Sequence, residues 1–220
     1  MPSSTVENYV KQIYLLQQFN EDLVSMGKLA GILGVVPGTV TTMIKTLADS
    51  GLVVYEPRGG VRLSRGGEQL ALHVLRRHRL VELLLVKVLG LDWSEVHDEA
   101  EELEHAISDK VLEKIDALLE HPSVDPHGDP IPSAKGKVPG GQHLSLMECA
   151  AGDTVRISRI LDQNPAFLQF IGRSGLTPGV TVTVQARDPL ADSLSIRPAG
   201  SAPITLGSAA AAKILINPLA

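Results

Sequence analysis

The chain has 220 residues, 44% of them hydrophobic and 20% charged, and a formal net charge of −5 at pH 7. That is an ordinary globular composition with room for two or three compact cores, and no apolar run approaches the roughly 18–20 residues that span a bilayer. The single cysteine, Cys149, excludes an internal disulfide, and the N-terminus lacks the basic-then-apolar pattern of an export signal, so a reducing cytoplasm is the expected compartment. The charge is unevenly spread: residues 1–75 are neutral, residues 76–120 carry −6, and residues 121–220 carry +1. A nucleic-acid contact needs only a local basic face, so the first segment stays eligible, while the acidic middle invites bound cations.

In chain order, Val6, Val10, Ile13, Leu15 and Leu16 predict a first helix over residues 5–19, broken at Asn20-Glu21-Asp22. Ser25 is placed to cap a short second helix carrying Leu29, Ala30 and Leu33. After the turn Gly34-Val35-Val36-Pro37-Gly38 comes a third helix, with Val40, Met43, Ile44 and Leu47 facing inward and Gly51 closing it. Three short helices in this order predict a helix-turn-helix. Leu52–Tyr55 and Val61–Leu63, joined by Glu56-Pro57-Arg58-Gly59-Gly60, predict a hairpin, the wing of a winged helix. Ser64 then caps a long helix over about 65–89. Further helices are expected from Ser94 to Ile107 and over 109–120. Residues 121–141 hold five of the fourteen prolines and read as an irregular linker. Beyond Leu144 the runs Thr154–Ile160, Val180–Gln185, Leu194–Ile196 and Ala212–Ile216 predict a small SH3-like β-domain. The expected class is mainly α: a winged helix-turn-helix (1–73), a helical metal-binding and dimerisation domain with its loop (74–142), and an SH3-like β-barrel (143–220).

The most informative stretch is Val96-His97-Asp98-Glu99-Ala100-Glu101-Glu102-Leu103-Glu104-His105. On one continuous helix His97, Glu101, Glu104 and His105 fall within an arc of about 100°, beside the apolar arc of Val96, Ala100, Leu103 and Ile107. His78 and Glu82 share a face of the preceding helix, one turn apart. Nitrogen and oxygen donors in these numbers suffice for two divalent ions, although a solvated acidic face would carry the same pattern.

These residues also resemble a known family, the iron- and manganese-dependent regulators of the diphtheria toxin repressor family. The resemblance is carried by Tyr9 to Tyr14, Asp49-Ser50-Gly51-Leu52-Val53, Arg77-His78-Arg79-Leu80-Val81-Glu82, Val96–Ala100, Glu104-His105 and the loop Asp125-Pro126-His127-Gly128-Asp129-Pro130-Ile131-Pro132, in order along the whole chain. It implies a primary ion site at Asn8, Glu101, Glu104 and His105. It also implies an ancillary one at His78, Glu82 and His97, joined in the manganese-sensing branch by Asp125, His127 and Asp162. Glu101 stands where iron-type members carry a cysteine, and a hard carboxylate favours Mn²⁺, with Fe²⁺ the other candidate. Asn8, at a position where relatives have Met or Asp, offers an oxygen without charge.

The resemblance further implies a homodimeric repressor of metal-homeostasis genes, not an enzyme and not membrane-bound. With about two ions per subunit as corepressor, it would read a palindromic duplex operator through Pro37, Thr39, Thr41, Thr42, Lys45 and Arg58. Val111, Leu112, Ile115, Leu118 and Leu119 are candidates for the dimer surface or for intrachain core. Clustered carboxylates are expected to repel one another without metal and to loosen the metal-free state. The competing readings are a dinuclear metal hydrolase, for which no nucleophile or oxyanion motif is evident, and a metal-buffering interaction protein.

Overall fold

The structure, a computed structural model, describes residues 2–18, 22–139 and 144–219. The helix break read at Asn20-Glu21 and the end of the linker at Gly140-Gly141 lie outside the described residues. The chain forms two compact units, the first from residues 1–78, 104–107 and 132–138, the second from 79–103, 108–131 and 139–220.

In the first unit, helix α1 (Ser4–Gln17) starts at the N-cap Ser3, α2 (Met26–Leu33) starts at Ser25, whose hydroxyl accepts from Lys28 N, and α3 (Pro37–Asp49) starts with proline at its first turn. Gly34 closes α2 in the left-handed region at φ 65°, the conformation a glycine adopts at least cost. Strands β1 (Val53–Glu56) and β2 (Gly60–Leu63) pair antiparallel, and Val24 bridges to Val61 on the far edge. One apolar core joins them: Tyr9, Ile13 and Leu16 of α1, Leu29 and Ala30 of α2, and Val40, Ile44 and Leu47 of α3, closed by Val24, Val53 and Val61. The winged helix-turn-helix is as the sequence predicts. Helix α4 (Arg65–Lys87) follows, its first turn capped by Ser64, whose hydroxyl accepts from Gly67 N at 3.1 Å.

The second unit holds α5 (Val96–Leu103), α6 (Asp109–Leu118) and the β-domain. Helix α5 is shorter than expected at both ends. Ser94 turns its N–H and hydroxyl onto the Asp92 carboxylate, so the helix begins only at Val96, and Glu104–Ala106 form a turn before Ser108 caps α6. On α6, Leu112 and Ile115 are buried, as is Leu119 just beyond it, whereas Val111 and Leu118 are exposed, which divides the five candidates between core and surface.

The β-domain is a six-stranded antiparallel sheet of order β3-β8-β4-β5-β6-β7, with β3 Leu144–Ser145, β4 Thr154–Ile160, β5 Thr181–Asp188, β6 Ser193–Pro198, β7 Ile204–Gly207 and β8 Ile214–Pro218. Alternate residues Val155 and Ile157, Val182 and Val184, and Leu194 and Ile196 point to a single core. Helix α7 (Pro165–Arg173), absent from the sequence reading, packs Leu168 and Ile171 into that core; a short turn of helix, α8 (Ser208–Ala211), adds Ala211. The α7 signal was legible: Asn164 caps it, accepting from Ala166 and Phe167, and Pro165 stands at its first turn.

Candidate metal centres and nucleic-acid interface

Helix α3 presents Pro37, Thr39, Thr42 and Lys45 to solvent, with Thr41 half-buried. The threonine hydroxyls are engaged locally, Thr41 donating to the Pro37 carbonyl at 2.9 Å and Thr42 to the Gly38 carbonyl at 3.1 Å. Their methyl groups and remaining oxygen lone pairs are therefore what they offer to a groove. At the wing tip Arg58 is exposed in the left-handed region, φ 69°, with Arg62 exposed on β2 and Arg65 at the start of α4. Exposed cations at a helix start and a wing suit phosphate contacts.

A buried polar cluster lies inside the first unit. Helix α1 brings Glu7, Asn8 and Lys11 onto one face, α4 supplies Arg77 and His78, and the turn after α5 supplies Glu104 and His105. The imidazole of His105 lies between α1 residues: Nδ1 is 2.6 Å from Glu7 Oε2, and Nε2 is 2.8 Å from Asn8 Oδ1 and 3.4 Å from Glu104 Oε1. Glu104 is fully buried, with Oε1 2.6 Å from Lys11 Nζ and Oε2 2.7 Å from His78 Nδ1. Burial alone would raise its carboxyl. The His78 hydrogen bond and the Lys11 and His78 charges outweigh that and hold it below the usual carboxylate range. Arg77 donates to Glu7 Oε1 at 3.3 Å. Both carboxylates thus have cationic or imidazole partners.

A second cluster lies in the second unit, where Glu82 of α4 and Asp125 and His127 of the loop offer ligand atoms within 4.8 Å of one another, all three residues buried. The loop folds on itself: Asp125 Oδ1 accepts from the backbone N–H of both His127 and Asp129, and Val124 bridges to Pro130. Gly128, at φ 88°, passes so close to β4 that a Cβ there would stand 2.0 Å from the Ser158 carbonyl. His127 Nε2 lies 2.8 Å from the Trp93 carbonyl, which can only accept, so Nε2 carries a proton and Nδ1 is the atom turned toward Glu82 and Asp125. Arg79 and Arg159 hold Asp129, and Gln163 donates to its other oxygen at 3.0 Å.

Asp125 Oδ2 and His127 Nδ1 are buried without a hydrogen-bond partner. Electrostatics records the same shortage of positive charge. Burial, with Asp129 and Glu82 beside it, pushes the Asp125 carboxyl up to about 8 against the pull of His127 and Arg79. Burial disfavours the His127 imidazolium, but Glu82, Asp125 and the Trp93 carbonyl raise it to about 9. A buried group of this kind takes up a proton where a cation would serve it better.

The structure therefore brings Asn8, Glu104 and His105 together, and separately Glu82, Asp125 and His127. His78 is bound to Glu104. On α5, His97 and Glu101 form an (i, i+4) pair at 3.6 Å, and His97 Nδ1 is 3.4 Å from Glu82 Oε1. The single helical stripe expected over 97–105 does not exist, because the helix ends at Leu103. Asp162 stands outside the second cluster: Lys213 Nζ takes its carboxylate at 2.6 Å, and its other oxygen accepts from Asn164 N. Glu7, Lys11, Asp129 and Arg159 went unread as site residues, since charged side chains at these spacings look like solvated surface.

Family models for the N-terminal DNA-binding domain and the metal-binding and dimerisation domain of iron-dependent repressors match residues 1–61 and 64–133, and a FeoA domain model matches 144–218. The iron-dependent repressor IdeR of Mycobacterium tuberculosis is 31% identical over 194 residues, covering 82% of this chain and 84% of its own. The chain belongs to the iron-dependent repressor family. Another relative, the regulator MntR of Lysinibacillus sphaericus, is 31% identical over 128 residues, 56% of this chain and 91% of its own. A solved manganese-dependent transcriptional repressor in complex with manganese superposes with a TM-score of 0.89 at 41% identity, covering 97% of this chain and all of that one. This repressor is accordingly a metal-dependent, DNA-binding regulator of transcription and not an enzyme, which sets aside the hydrolase and buffer readings.

Both clusters suit a divalent first-row ion. The first converges two oxygens and one imidazole nitrogen, and the second leaves an oxygen and a nitrogen unsatisfied in a buried setting.

Proposed function

We propose that this repressor is a homodimer that reads a palindromic operator in the cytoplasm when loaded with Mn²⁺, Fe²⁺ being the other ion it accepts, and so controls metal-homeostasis genes. Asn8, Glu104 and His105 would hold one ion, with Glu7 orienting His105 through Nδ1. Glu82, Asp125 and His127 would hold a second, with the Trp93 carbonyl fixing the tautomer of His127 and with the His97–Glu101 pair beside Glu82. When bound, an ion supplies positive charge shared between helices; it does no covalent chemistry. The observation that carries the reading is the convergence of Asn8, on the first helix of the DNA-binding domain, with Glu104 and His105 from the metal-binding segment. An ion there favours whichever arrangement of the reading head keeps its donors together, a coupling of about 1–3 kcal/mol in comparable systems. Donors consisting of oxygen and imidazole, without thiolate, favour Mn²⁺ over softer ions, in keeping with the manganese-dependent relative. Pro37, Thr39, Thr41 and Thr42 would meet base edges and Lys45 and Arg58 phosphates.

The test is selection of duplexes from a random pool by the Mn²⁺-loaded protein. An inverted repeat is expected, lost on chelation and restored by Mn²⁺ more readily than by Zn²⁺. Glu104→Gln, which removes a charged ligand and leaves a polar partner for Lys11, should abolish the metal response. Equal binding before and after chelation would refute the reading.

A further inference from the structure

Lys11 is an unusual occupant of the first cluster. Its side chain is one of the largest fully buried ones in the chain, at 1% exposure, and its ammonium lies 2.6 Å from Glu104 Oε1. That same oxygen is 3.4 Å from His105 Nε2, whose other close contact is Asn8 Oδ1 at 2.8 Å. The cation of Lys11 and a divalent ion held by Asn8, Glu104 and His105 therefore compete for one carboxylate oxygen. The second cluster is built differently. The closest cation contact recorded for Asp125 is Arg79 Nε at 3.8 Å, and Asp125 Oδ2 and His127 Nδ1 have no hydrogen-bond partner.

We infer that Lys11 is a tethered competitor cation, which neutralises Glu104 in the ion-free repressor and raises the ion concentration needed to load Asn8, Glu104 and His105. The inference rests on the reading that those three residues ligate an ion. Two positive charges sharing one buried carboxylate repel at a separation of a few ångströms, enough at an effective protein dielectric to cost about tenfold or more in affinity. The same contact ties α1 to the turn after α5. The cluster at Glu82, Asp125 and His127, in which Asp125 Oδ2 and His127 Nδ1 have no hydrogen-bond partner, fills at lower free ion.

The experiment is Mn²⁺ binding to the full-length metal-free protein, read from the paramagnetic resonance signal of free Mn²⁺, independent of DNA. Glu104→Gln and His127→Ala assign the ion classes to the two clusters. In Lys11→Met and Lys11→Gln, the class assigned by Glu104 should bind about tenfold tighter or more and the other should be unchanged. Lys11→Arg keeps the charge and should stay within about threefold of the parent. Melting of the metal-free protein should drop in Lys11→Met and recover with Mn²⁺ by more than the parent gains, since a buried carboxylate has lost its cation. If Glu104→Gln removes no ion from the parent, the ligand assignment itself fails and the Lys11 role with it. If it removes one, but neutral residues at position 11 leave that affinity unchanged or weaker, or Lys11→Arg tightens it equally, the competitor role alone is overturned.

Discussion

Asn8 is the uncharged donor of the first cluster, its Oδ1 2.8 Å from His105 Nε2. Asn8→Asp keeps the shape and adds a negative charge, so Mn²⁺ titration should show binding tightened by about tenfold, and an unchanged affinity would remove Asn8 from the ligand set. Gly128 has a different role, conformational rather than chemical. A methyl group there meets the Ser158 carbonyl and forces a non-glycine residue into positive φ. Gly128→Ala should destabilise the second unit by at least about 2 kcal/mol and, in the same titration, lose the ion class assigned to His127. At this scale the sequence was readable where donor chemistry is distinctive, as at His78, Glu82 and His105, and unreadable where only burial distinguishes a residue. Lys11 stands four residues after Glu7, the spacing of a common exposed helix pair, and nothing local announces that both are in the interior.

Among the elements, those with their own caps and periodicity were legible: α1 to α4, the wing, and strands β4 to β6. The stop of α5 was not, because Glu104 and His105 are claimed by side chains of α1, nearly a hundred residues away, and such tertiary pulls override helical propensity. Strand β7 escaped because Pro203 and the small residues around it carry weak β-signal, yet it pairs fully with β6 from Ile204 to Gly207. The wing yields a prediction of its own. Arg58 occupies a left-handed position that glycine would take more comfortably. Arg58→Gly should therefore leave the melting temperature unchanged or raise it, by up to about 1 kcal/mol in stability. Operator affinity should fall by similar factors across sequences, with a salt slope shallower by about 1. Loss confined to one base position would contradict a phosphate contact.

For the molecule as a whole, dimerisation is a property of the family domain matched at residues 64–133. On α6, Val111 and Leu118 lie seven residues apart on one face and are 49% and 62% exposed, more than isolated apolar residues in a closed core would be. Leu118→Glu should shift sedimentation toward the monomer and, on the proposed palindromic operator, weaken binding by at least tenfold, since each half-site would then be read alone, on the order of 1.4 kcal/mol or more. A dimer that persists unchanged would place the interface elsewhere.

The contact between β4 and the His127 loop reaches further than its size suggests. Ile160 N–H donates to the His127 carbonyl at 2.9 Å, and Arg159 reaches Asp129 from the same strand. The β-domain is thus a buttress for the loop that carries Asp125 and His127, not a passenger, and any molecule that grips that sheet hard enough to strain β4 would tug on the imidazole of His127. Cutting the chain before Leu144 would remove that support, and on the proposed assignment the shortened repressor should lose the ion at Glu82, Asp125 and His127 while keeping the one at Asn8, Glu104 and His105.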